Sequence, residues 1–270
     1  MTTPVALTPS DRSGSGQLTA ITNLPSPNLQ GGERTYVGHA PIDAALALRQ
    51  HEGYRAALRA CGATVVTLED NRDLADGVFV EDTAIVLDEV AVMMSMGAAS
   101  RRGEPAAIEA ALRRYRPIER VSLPATIDGG DVVRAGRSLY VGASPRTNAA
   151  GIASLRDVVK RFGYSVTAIP VRECLHLKTA CSALPDGRFL VNAEWIDVSP
   201  LPSSRLLHVP ASEPWAGDVL AVDSHIIASD AFPETIALLG ERFPVAPVSV
   251  SEFAKAEGGV TCMSLVFRAT

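Results

Sequence analysis

The sequence is poor in cysteine and has no long apolar run. Only four of its 270 residues are cysteine, at positions 61, 174, 181 and 262. Four thiols in a chain of this size do not form the disulfide framework of a small secreted domain, and we expect a reducing, cytoplasmic location. No stretch approaches the ~20 apolar residues of a membrane-spanning helix, so we expect no membrane partner.

Lysine is also scarce, and the chain has no excess of positive charge. Lysine occurs only at positions 160, 178 and 255, and the formal net charge is −5. Proteins that bind nucleic acid normally carry a basic patch, so we expect no nucleic-acid partner. Residues 1–17 are small and polar and lack the basic start and apolar run of a targeting peptide. They are predicted to form a disordered tail.

The remainder, residues 18–270, is predicted to be a single α/β domain. Hydrophobic residues make up 47% of the chain, which is enough to bury a large core, and no Pro/Ser-rich linker divides it. Short β-branched runs alternate with amphipathic patterns of helical period. The predicted strands are Ala63–Leu68, Ala84–Leu87, Val90–Met94 and Ser138–Val141, and the predicted helices are Ala45–Ala60, Pro105–Arg114, Ala149–Phe162 and Glu234–Arg242.

A weak repeat runs through this domain. Polar residues follow strand-like runs at Glu81, Asp128, His176 and His225, at steps of 47, 48 and 49 residues, and Cys262 comes 37 residues later. A period of about 50 residues indicates repeated units, here about five, that close into a ring. Strand ends converge on the axis of such a ring, so residues far apart in sequence can meet there.

Cys262 is the cysteine best placed to act as a nucleophile. It follows Gly258 and Gly259, which permit a sharp turn and a close backbone approach to a ligand, and an apolar strand-like run comes after it. The alternative is a small buried hydrophobe, which describes most cysteines. Cys61, which ends an amphipathic helix just before Gly62, is predicted to be of that kind.

His176 is the candidate acid/base group. Apolar and polar residues alternate around it, which predicts a strand with His176 and Lys178 on one face. A metal site formed by Cys174, His176 and Cys181 is an alternative, but three ligands at irregular spacing lack the paired cysteines of structural zinc sites. A solvated or structural histidine is the other alternative.

Carboxylates and two arginine positions complete the candidate set. Carboxylates cluster around Glu81 and around the Gly129-Gly130 turn. One such group beside a histidine fixes its tautomer, and two that converge suit a planar guanidinium. Arginine can grip a carboxylate in bidentate fashion, which draws attention to the Arg101-Arg102 pair and to Arg146, although the pattern alone would select neither position. The alternatives are ordinary Asp-Gly turn chemistry and solvated surface arginines.

Taken in chain order, these segments resemble the dimethylarginine dimethylaminohydrolases, which belong to the guanidine-modifying (pentein) superfamily together with arginine deiminases and amidinotransferases. The resemblance runs from about Leu29 to the C-terminus, and it is specific because six ordered motifs share the family spacing. The motifs are Asp76-x4-Glu81-Asp82, Ser100-Arg101-Arg102, Asp128-Gly129-Gly130-Asp131, Arg146-Thr147-Asn148, His176-Leu177-Lys178-Thr179 and the segment Gly258 to Ser264.

The resemblance implies a five-bladed β/α propeller with a pseudo-fivefold repeat of ββαβ units, in agreement with the weak repeat. It also implies that Cys262 is the nucleophile, that His176 is the general acid/base and that Asp128 orients His176. The substrate contacts that it implies are Asp76 and Glu81 to the guanidinium, Arg101 and Arg146 to the α-carboxylate, and Asp82 and the backbone around Ala256 at the amino-acid end.

The function implied is hydrolysis of methylated arginines to citrulline and methylamines, with a small guanidine amino acid as partner and no metal or organic cofactor. Arginine deimination is the alternative within the class, and amidinotransfer is a weaker one. A non-catalytic arginine-binding module is the alternative from another class. A homodimer is one of the assembly states that the sequence allows.

Two departures from the family pattern bear on substrate choice. Relatives carry a small apolar residue on an N-terminal loop over the substrate, and the best ungapped placement puts Glu33 at that position. The run Met94-Ser95-Met96-Gly97 replaces a more usual segment that contains Arg and Pro. Both departures leave the catalytic set intact, so we expect their effect to fall on the preferred guanidine substrate.

Overall fold

The computed structural model describes residues 16–269. The first 15 residues of the predicted tail lie outside that range, and Gln17, which the sequence assigned to the tail, is the first residue of a strand. Fifteen strands are described. They are β1 (Gln17–Asn23), β2 (Thr64–Leu68), β3 (Ala84–Val86), β4 (Ala91–Met93), β5 (Ile118–Arg120), β6 (Val132–Ala135), β7 (Ser138–Ala143), β8 (Ser165–Pro170), β9 (Cys181–Ala183), β10 (Phe189–Val191), β11 (Leu206–His208), β12 (Leu220–Val222), β13 (His225–Ser229), β14 (Val245–Val248) and β15 (Leu265–Ala269).

The four longer helices begin where a side-chain cap or a proline favours it. Asp43 accepts a hydrogen bond from the Leu46 amide at the start of the first helix, and proline opens the second, where its missing N–H costs nothing. The α-helices are α1 (Ala44–Ala60), α2 (Pro105–Leu112), α3 (Ala149–Val159), α4 (Leu177–Ala180), α5 (Pro233–Gly240) and α6 (Ser251–Ala254), and the 3-10 helices are Leu29–Gly31, Val80–Thr83, Ala99–Arg101, Gly129–Asp131, Lys160–Phe162 and Ser203–Arg205.

The described strands form five three-stranded sheets, the blades of a ring. Each blade has an antiparallel pair followed by a parallel strand, in the orders β15-β1-β2, β3-β4-β5, β6-β7-β8, β9-β10-β11 and β12-β13-β14. An α-helix connects the last two strands in four of the blades, while the blade that starts at β9 uses the 3-10 helix at 203–205. The predicted ββαβ repeat is confirmed, and so are the four strands and four helices whose bounds were predicted, to within a few residues.

One polar residue per blade lies just before the blade's first strand. Glu81, Asp128, His176 and Cys262 occupy this place before β3, β6, β9 and β15. The prediction that His225 is the remaining member was wrong, because His225 is the first residue of β13 and pairs with Val222. The corresponding residue before β12 is Asp218.

The segment around His176 also differs from its prediction. His176 precedes the short helix α4 and has extended backbone angles itself, so the predicted strand over this segment was wrong. Lys178 lies inside the helix rather than two places along a strand. Alternating polarity over five residues could not distinguish a strand from a short helix, because a single helical turn is too short to show its period.

The apolar core consists of several clusters of buried side chains that join neighbouring blades. One packs Tyr54 and Leu58 of α1 with Phe253 of α6 and the β12–β14 sheet, and another packs Leu155 and Val159 of α3 with the β6–β7 and β3–β4 hairpins. Among residues 16–269, no helix is both long enough and apolar enough to cross a membrane.

Candidate active site

The turn before Cys262 depends on two glycines. A side chain at Gly258 would overlap the ring of Phe79, and one at Gly259 would overlap the carboxylate of Asp218. The backbone at these glycines therefore approaches other groups closely, as predicted, but those groups are protein side chains rather than a ligand. The positive φ of the turn falls on Glu257, at 64°, rather than on either glycine. The turn places the Gly259 amide 3.3 Å from Cys262 Sγ, to which it donates.

The other side of the Cys262 segment is fixed by helix α1. The buried Tyr54 hydroxyl donates to the Val260 carbonyl at 2.8 Å and lies 2.7 Å from Ser264 Oγ. These contacts bracket Cys262 by two residues on each side. A nucleophile must be held within about half an ångström of its productive position, and this hydroxyl supplies that restraint from the first blade.

Cys262 is only partly buried, whereas Cys61, Cys174 and Cys181 are buried in apolar surroundings. Burial and the nearby carboxylates of Asp218, Glu81 and Asp82 raise the pKa of Cys262 well above its ordinary value. The thiol therefore keeps its proton at neutral pH, and a bound cation is needed to favour the thiolate.

His176 lies between two carboxylates. Its Nε2 is 3.2 Å from Asp128 Oδ2, and its Nδ1 is 3.7 Å from Asp82 Oδ1. Burial alone would lower the pKa of His176, but Asp82, Asp128 and Asp131 raise it to about 9. The ring is therefore an imidazolium at neutral pH, which can donate a proton.

The Gly129-Gly130 turn and Asp131 position the histidine. A side chain at Gly130 would overlap both His176 and Asp82, so glycine lets these two residues meet. Asp131 Oδ1 accepts from the Leu177 amide at 2.9 Å and fixes the start of α4. Possible metal-ligand atoms of Asp82, Asp128 and His176 lie within 4.8 Å of one another, and both ring nitrogens of His176 face these two carboxylates.

The alternative metal set does not assemble. Cys174 and Cys181 are buried among apolar side chains, and the Cys174 thiol donates to the His176 carbonyl at 3.3 Å. Burial raises the pKa of both thiols to about 12. Within the described residues, the group of possible metal ligands that contains His176 includes neither cysteine.

Arg101 is buried and held by carboxylates of its own protein. Its guanidinium donates to Asp82 at 2.6 Å, to both oxygens of Glu104 at 2.9 and 2.7 Å, and to the Phe79 carbonyl at 3.1 Å. Burial opposes ionisation of Asp82, but His176 and Arg101 lower the pKa of Asp82 to about 2. Asp82 therefore joins the guanidinium of Arg101 to the ring of His176.

Among the predicted site residues, two buried polar atoms of opposite charge have no hydrogen-bond partner within the part of the chain that the structure describes. They are Nη1 of Arg146, which lies 3.9 Å from Asp128 Oδ2, and Oε2 of Glu81. The other oxygen of Glu81 accepts from Lys178 Nζ at 2.6 Å. Buried polar atoms left without partners cost about 1–3 kcal/mol each, so this site suits a ligand that carries both an anionic and a cationic group.

The cavity beside Cys262 is small and covered by a loop. Its volume is about 20 Å³, far below the roughly 300–1,000 Å³ of ligand pockets, so the loop must move for an amino acid to enter. The Glu33 amide donates to Asp76 Oδ2 at 3.0 Å, and its carboxylate accepts from Ser100 Oγ. The cavity is lined by Glu33, Asp76, Phe79, Asp82, Arg101, Arg146, Leu175, His176, Ala256, Glu257, Gly258 and Cys262.

Seven of the nine predicted site residues line this cavity. The other two, Glu81 and Asp128, lie beside it: Asp128 contacts His176, and Glu81, together with Lys178, borders a separate cavity of about 230 Å³.

Comparisons with known proteins identify the family. A family model described as N,N dimethylarginine dimethylhydrolase, eukaryotic, matches residues 38–197. A relative from Streptomyces coelicolor named N(G),N(G)-dimethylarginine dimethylaminohydrolase is 40% identical over 252 residues, which cover 92% of this chain and 96% of the relative. The chain belongs to the dimethylarginine dimethylaminohydrolase family. A relative of the same name from Pseudomonas aeruginosa is 34% identical over 230 residues, 83% of this chain and 90% of the relative.

Solved structures of the family have the same fold. A Pseudomonas aeruginosa dimethylarginine dimethylaminohydrolase complexed with citrulline has a TM-score of 0.87 at 30% identity and covers 93% of this chain and 100% of its own. An arginine dihydrolase domain from cyanobacteria has a TM-score of 0.80 at 18% identity, covering 93% and 98%, and supports the fold alone. The predicted family, propeller fold and class of amidine C–N hydrolase are confirmed.

The sequence did not reveal three residues that shape this site. Glu104 neutralises Arg101, Glu257 accepts from the amides of Thr35 and Tyr36 at 2.7 Å each, and Asp218 contacts Cys262. Glu104 and Glu257 lie next to predicted motifs and resemble ordinary solvated carboxylates. No glycine pair precedes Asp218. What could have identified it is its position just before the first strand of its blade, where the other blades carry their polar residue.

Proposed function

We propose that the protein hydrolyses Nω-dimethylarginine and Nω-monomethylarginine to citrulline and methylamines through a covalent intermediate on Cys262. The observation that carries this proposal is one cavity that holds a partly exposed thiol and an imidazolium paired with a carboxylate. The names of the relatives and the citrulline complex of the Pseudomonas aeruginosa protein support it.

The substrate is an amino acid with a positive side chain, and the charges around the cavity match both of its ends. Asp76 and Glu81 would hold the guanidinium, whose fixed fork of N–H groups suits two carboxylates. Arg146, with an unpartnered buried donor, would hold the α-carboxylate. Arg101 would contribute its remaining N–H to that carboxylate, since Asp82 and Glu104 already accept most of its donors. Asp82 and the backbone at Ala256 would border the amino-acid end.

The reaction would proceed in two halves. The Cys262 thiolate attacks the guanidinium carbon, and His176 donates its proton to the departing amine, which leaves a thiouronium intermediate. The neutral His176 then takes a proton from a water molecule that attacks the same carbon, and citrulline departs as the thiol re-forms. Asp128 keeps the ring oriented through both halves. The chemistry needs no metal or organic cofactor.

The test is citrulline release from dimethylarginine, monomethylarginine, arginine and agmatine. We expect the methylated amino acids to be turned over fastest, Cys262→Ala to release no citrulline, and Cys61→Ala, which removes a thiol far from the cavity, to retain turnover. Substantial citrulline release by Cys262→Ala would contradict the proposal. Labelling of Cys262 by a haloacetamidine, blocked by substrate, distinguishes an enzyme from an arginine-binding module.

Deimination of unmethylated arginine is a second candidate, and the carboxylate of Glu33 in the cavity favours it. A carboxylate prefers nitrogens that still carry hydrogen, whereas methyl groups prefer apolar neighbours. The same assay decides between the two candidates, because arginine would then be hydrolysed faster than either methylated substrate.

A further inference from the structure

Asp218 is a carboxylate in contact with the nucleophile, and the reaction described so far gives it no role. Cys262 Sγ donates to Asp218 Oδ2 over 4.0 Å. The other contacts of Asp218 fix its direction: Oδ1 accepts from the Thr261 amide at 3.0 Å and Oδ2 accepts from the Thr261 hydroxyl at 3.3 Å. Gly259 leaves room for this arrangement, because any side chain there would overlap the carboxylate.

The thiol of Cys262 needs a proton acceptor that His176 cannot be. With its pKa raised to about 9, His176 is already protonated at neutral pH and can only donate. Its proton is needed for the departing amine. Within the described residues, Asp218 is the one carboxylate to which Cys262 Sγ donates a hydrogen bond.

The charged groups around Asp218 tune it for exchange with a thiol. Burial and the carboxylate of Glu81 raise the pKa of Asp218 to about 7, while Thr261 and Lys178 act in the opposite direction. Cys262 itself faces Asp218, Glu81 and Asp82. A carboxylate that titrates near neutral pH can accept a proton and release it again within one turnover.

Asp218 also borders a second cavity, away from His176. This cavity has a volume of about 290 Å³, and its walls include Trp215, Phe232 and Val250 beside Asp218 and Asp230. Asp218 thus both accepts from the sulfur and lines this cavity. Because neither Cys262 nor His176 lines it, the cavity offers a proton on Asp218 a route away from these two residues.

We propose that Asp218 is a further catalytic residue, the base that takes the proton of the Cys262 thiol; this rests on the proposed function. The S–H bond breaks, an O–H bond forms on Asp218, and the thiolate attacks the guanidinium carbon to give a neutral tetrahedral adduct. His176 protonates the amine, and the C–N bond breaks to leave the cationic thiouronium. After water attack returns a proton to His176, the adduct collapses to citrulline and Cys262 thiol. Asp218 releases its proton to solvent, where the free amine takes up an equivalent.

The test compares wild type, Asp218→Asn and a matched control, Asp230→Asn, which changes a carboxylate of the same cavity that does not touch Cys262. At neutral pH we expect Asp218→Asn to lower kcat/KM for dimethylarginine by about 10²-fold or more. That loss should shrink as the pH rises, because a growing fraction of the thiol then ionises without help from the carboxylate. Alkylation of Cys262 by iodoacetamide without substrate should be as fast as in wild type or faster, because a like charge is gone. The control should match wild type.

A second variant guards against a folding defect. Asp218→Ala leaves space open to the second cavity, and added formate should restore its kcat/KM at least about tenfold, since a small carboxylate can replace the missing base. Wild-type kcat/KM in Asp218→Asn would overturn the proposal. Slowed alkylation together with no formate rescue would overturn it too, because it would show a structural role. A wild type that releases no citrulline would refute the proposed function instead.

Discussion

Replacing Glu33 by leucine tests how the loop over the cavity sets substrate choice. Glu33 lines the cavity, and its carboxylate accepts a hydrogen bond from Ser100. We expect methylated arginines to remain the main substrates of the wild type, with a smaller advantage over arginine than in relatives that carry an apolar residue on this loop. A charged neighbour leaves the two methyl groups of dimethylarginine without an apolar contact.

The size of the effect follows from those two methyl groups. Each buried carbon contributes about 0.8 kcal/mol, so two contribute about 1.6 kcal/mol when leucine covers them. Since 1.4 kcal/mol corresponds to a factor of ten, the ratio of kcat/KM for dimethylarginine over arginine should rise by up to about 15-fold in Glu33→Leu.

The assay measures kcat/KM for both substrates by citrulline release in wild type and three variants. Ser100→Ala removes the partner of Glu33 but keeps its carboxylate, so it should change the ratio much less than Glu33→Leu. Glu69→Leu makes the same exchange at an exposed turn and should not change the ratio. An unchanged ratio in Glu33→Leu would refute the reasoning and would mean that Glu33 leaves the cavity when substrate enters.

Three further predictions concern the catalytic pair and the arginines. His176→Ala should slow turnover by about 10²–10⁴-fold and accumulate added mass on Cys262, detectable by intact-protein mass spectrometry, whereas wild type should keep full activity in excess chelator. Arg146→Ala should lower kcat/KM for dimethylarginine far more than kcat/KM for agmatine, and equal losses on both would contradict a role in binding the carboxylate. Arg101→Ala should also lower the Tm, because it leaves Glu104 buried without a partner. With a folded pKa of about 9 against 6.5 ordinarily, His176 stabilises the fold fully below about pH 6.5. That contribution disappears as the pH rises through about 9, so Tm should fall more steeply over this range in wild type than in His176→Ala.

The sequence predicted most of the elements because their signals are local. Helix α1 has a capping aspartate and a long apolar stripe, and β7 is a short, mostly apolar run that precedes a helix. The His176 segment failed because four helical residues carry too little periodicity to oppose an alternating pattern. His225 failed because a spacing of about 50 residues tolerates a shift of several positions, and Asp218 lies only seven residues earlier.

The pairing of site residues was less accessible to sequence reasoning. Cys262 and His176 lie in recognisable motifs. Their proximity in space could be predicted because strand ends converge on the axis of the ring. Glu104, by contrast, is an ordinary helix-proximal glutamate until Arg101 is seen to be buried beside it. Which carboxylate serves a buried cation depends on packing between blades, and that information is spread over the whole chain rather than over any window of it.

The ring is closed where the first strand pairs with the last, and this seam affects the order in which activity and structure are lost on denaturation. Gln17 pairs with Ala269, and β1 also holds β2 on its other side. Cys262 lies just before the last strand, so its position relative to His176 depends on one of the most sequence-distant contacts of the fold. Opening the seam would displace Cys262 while the other four sheets keep their strands. During gentle denaturation, catalytic competence should therefore vanish before most of the circular-dichroism signal does.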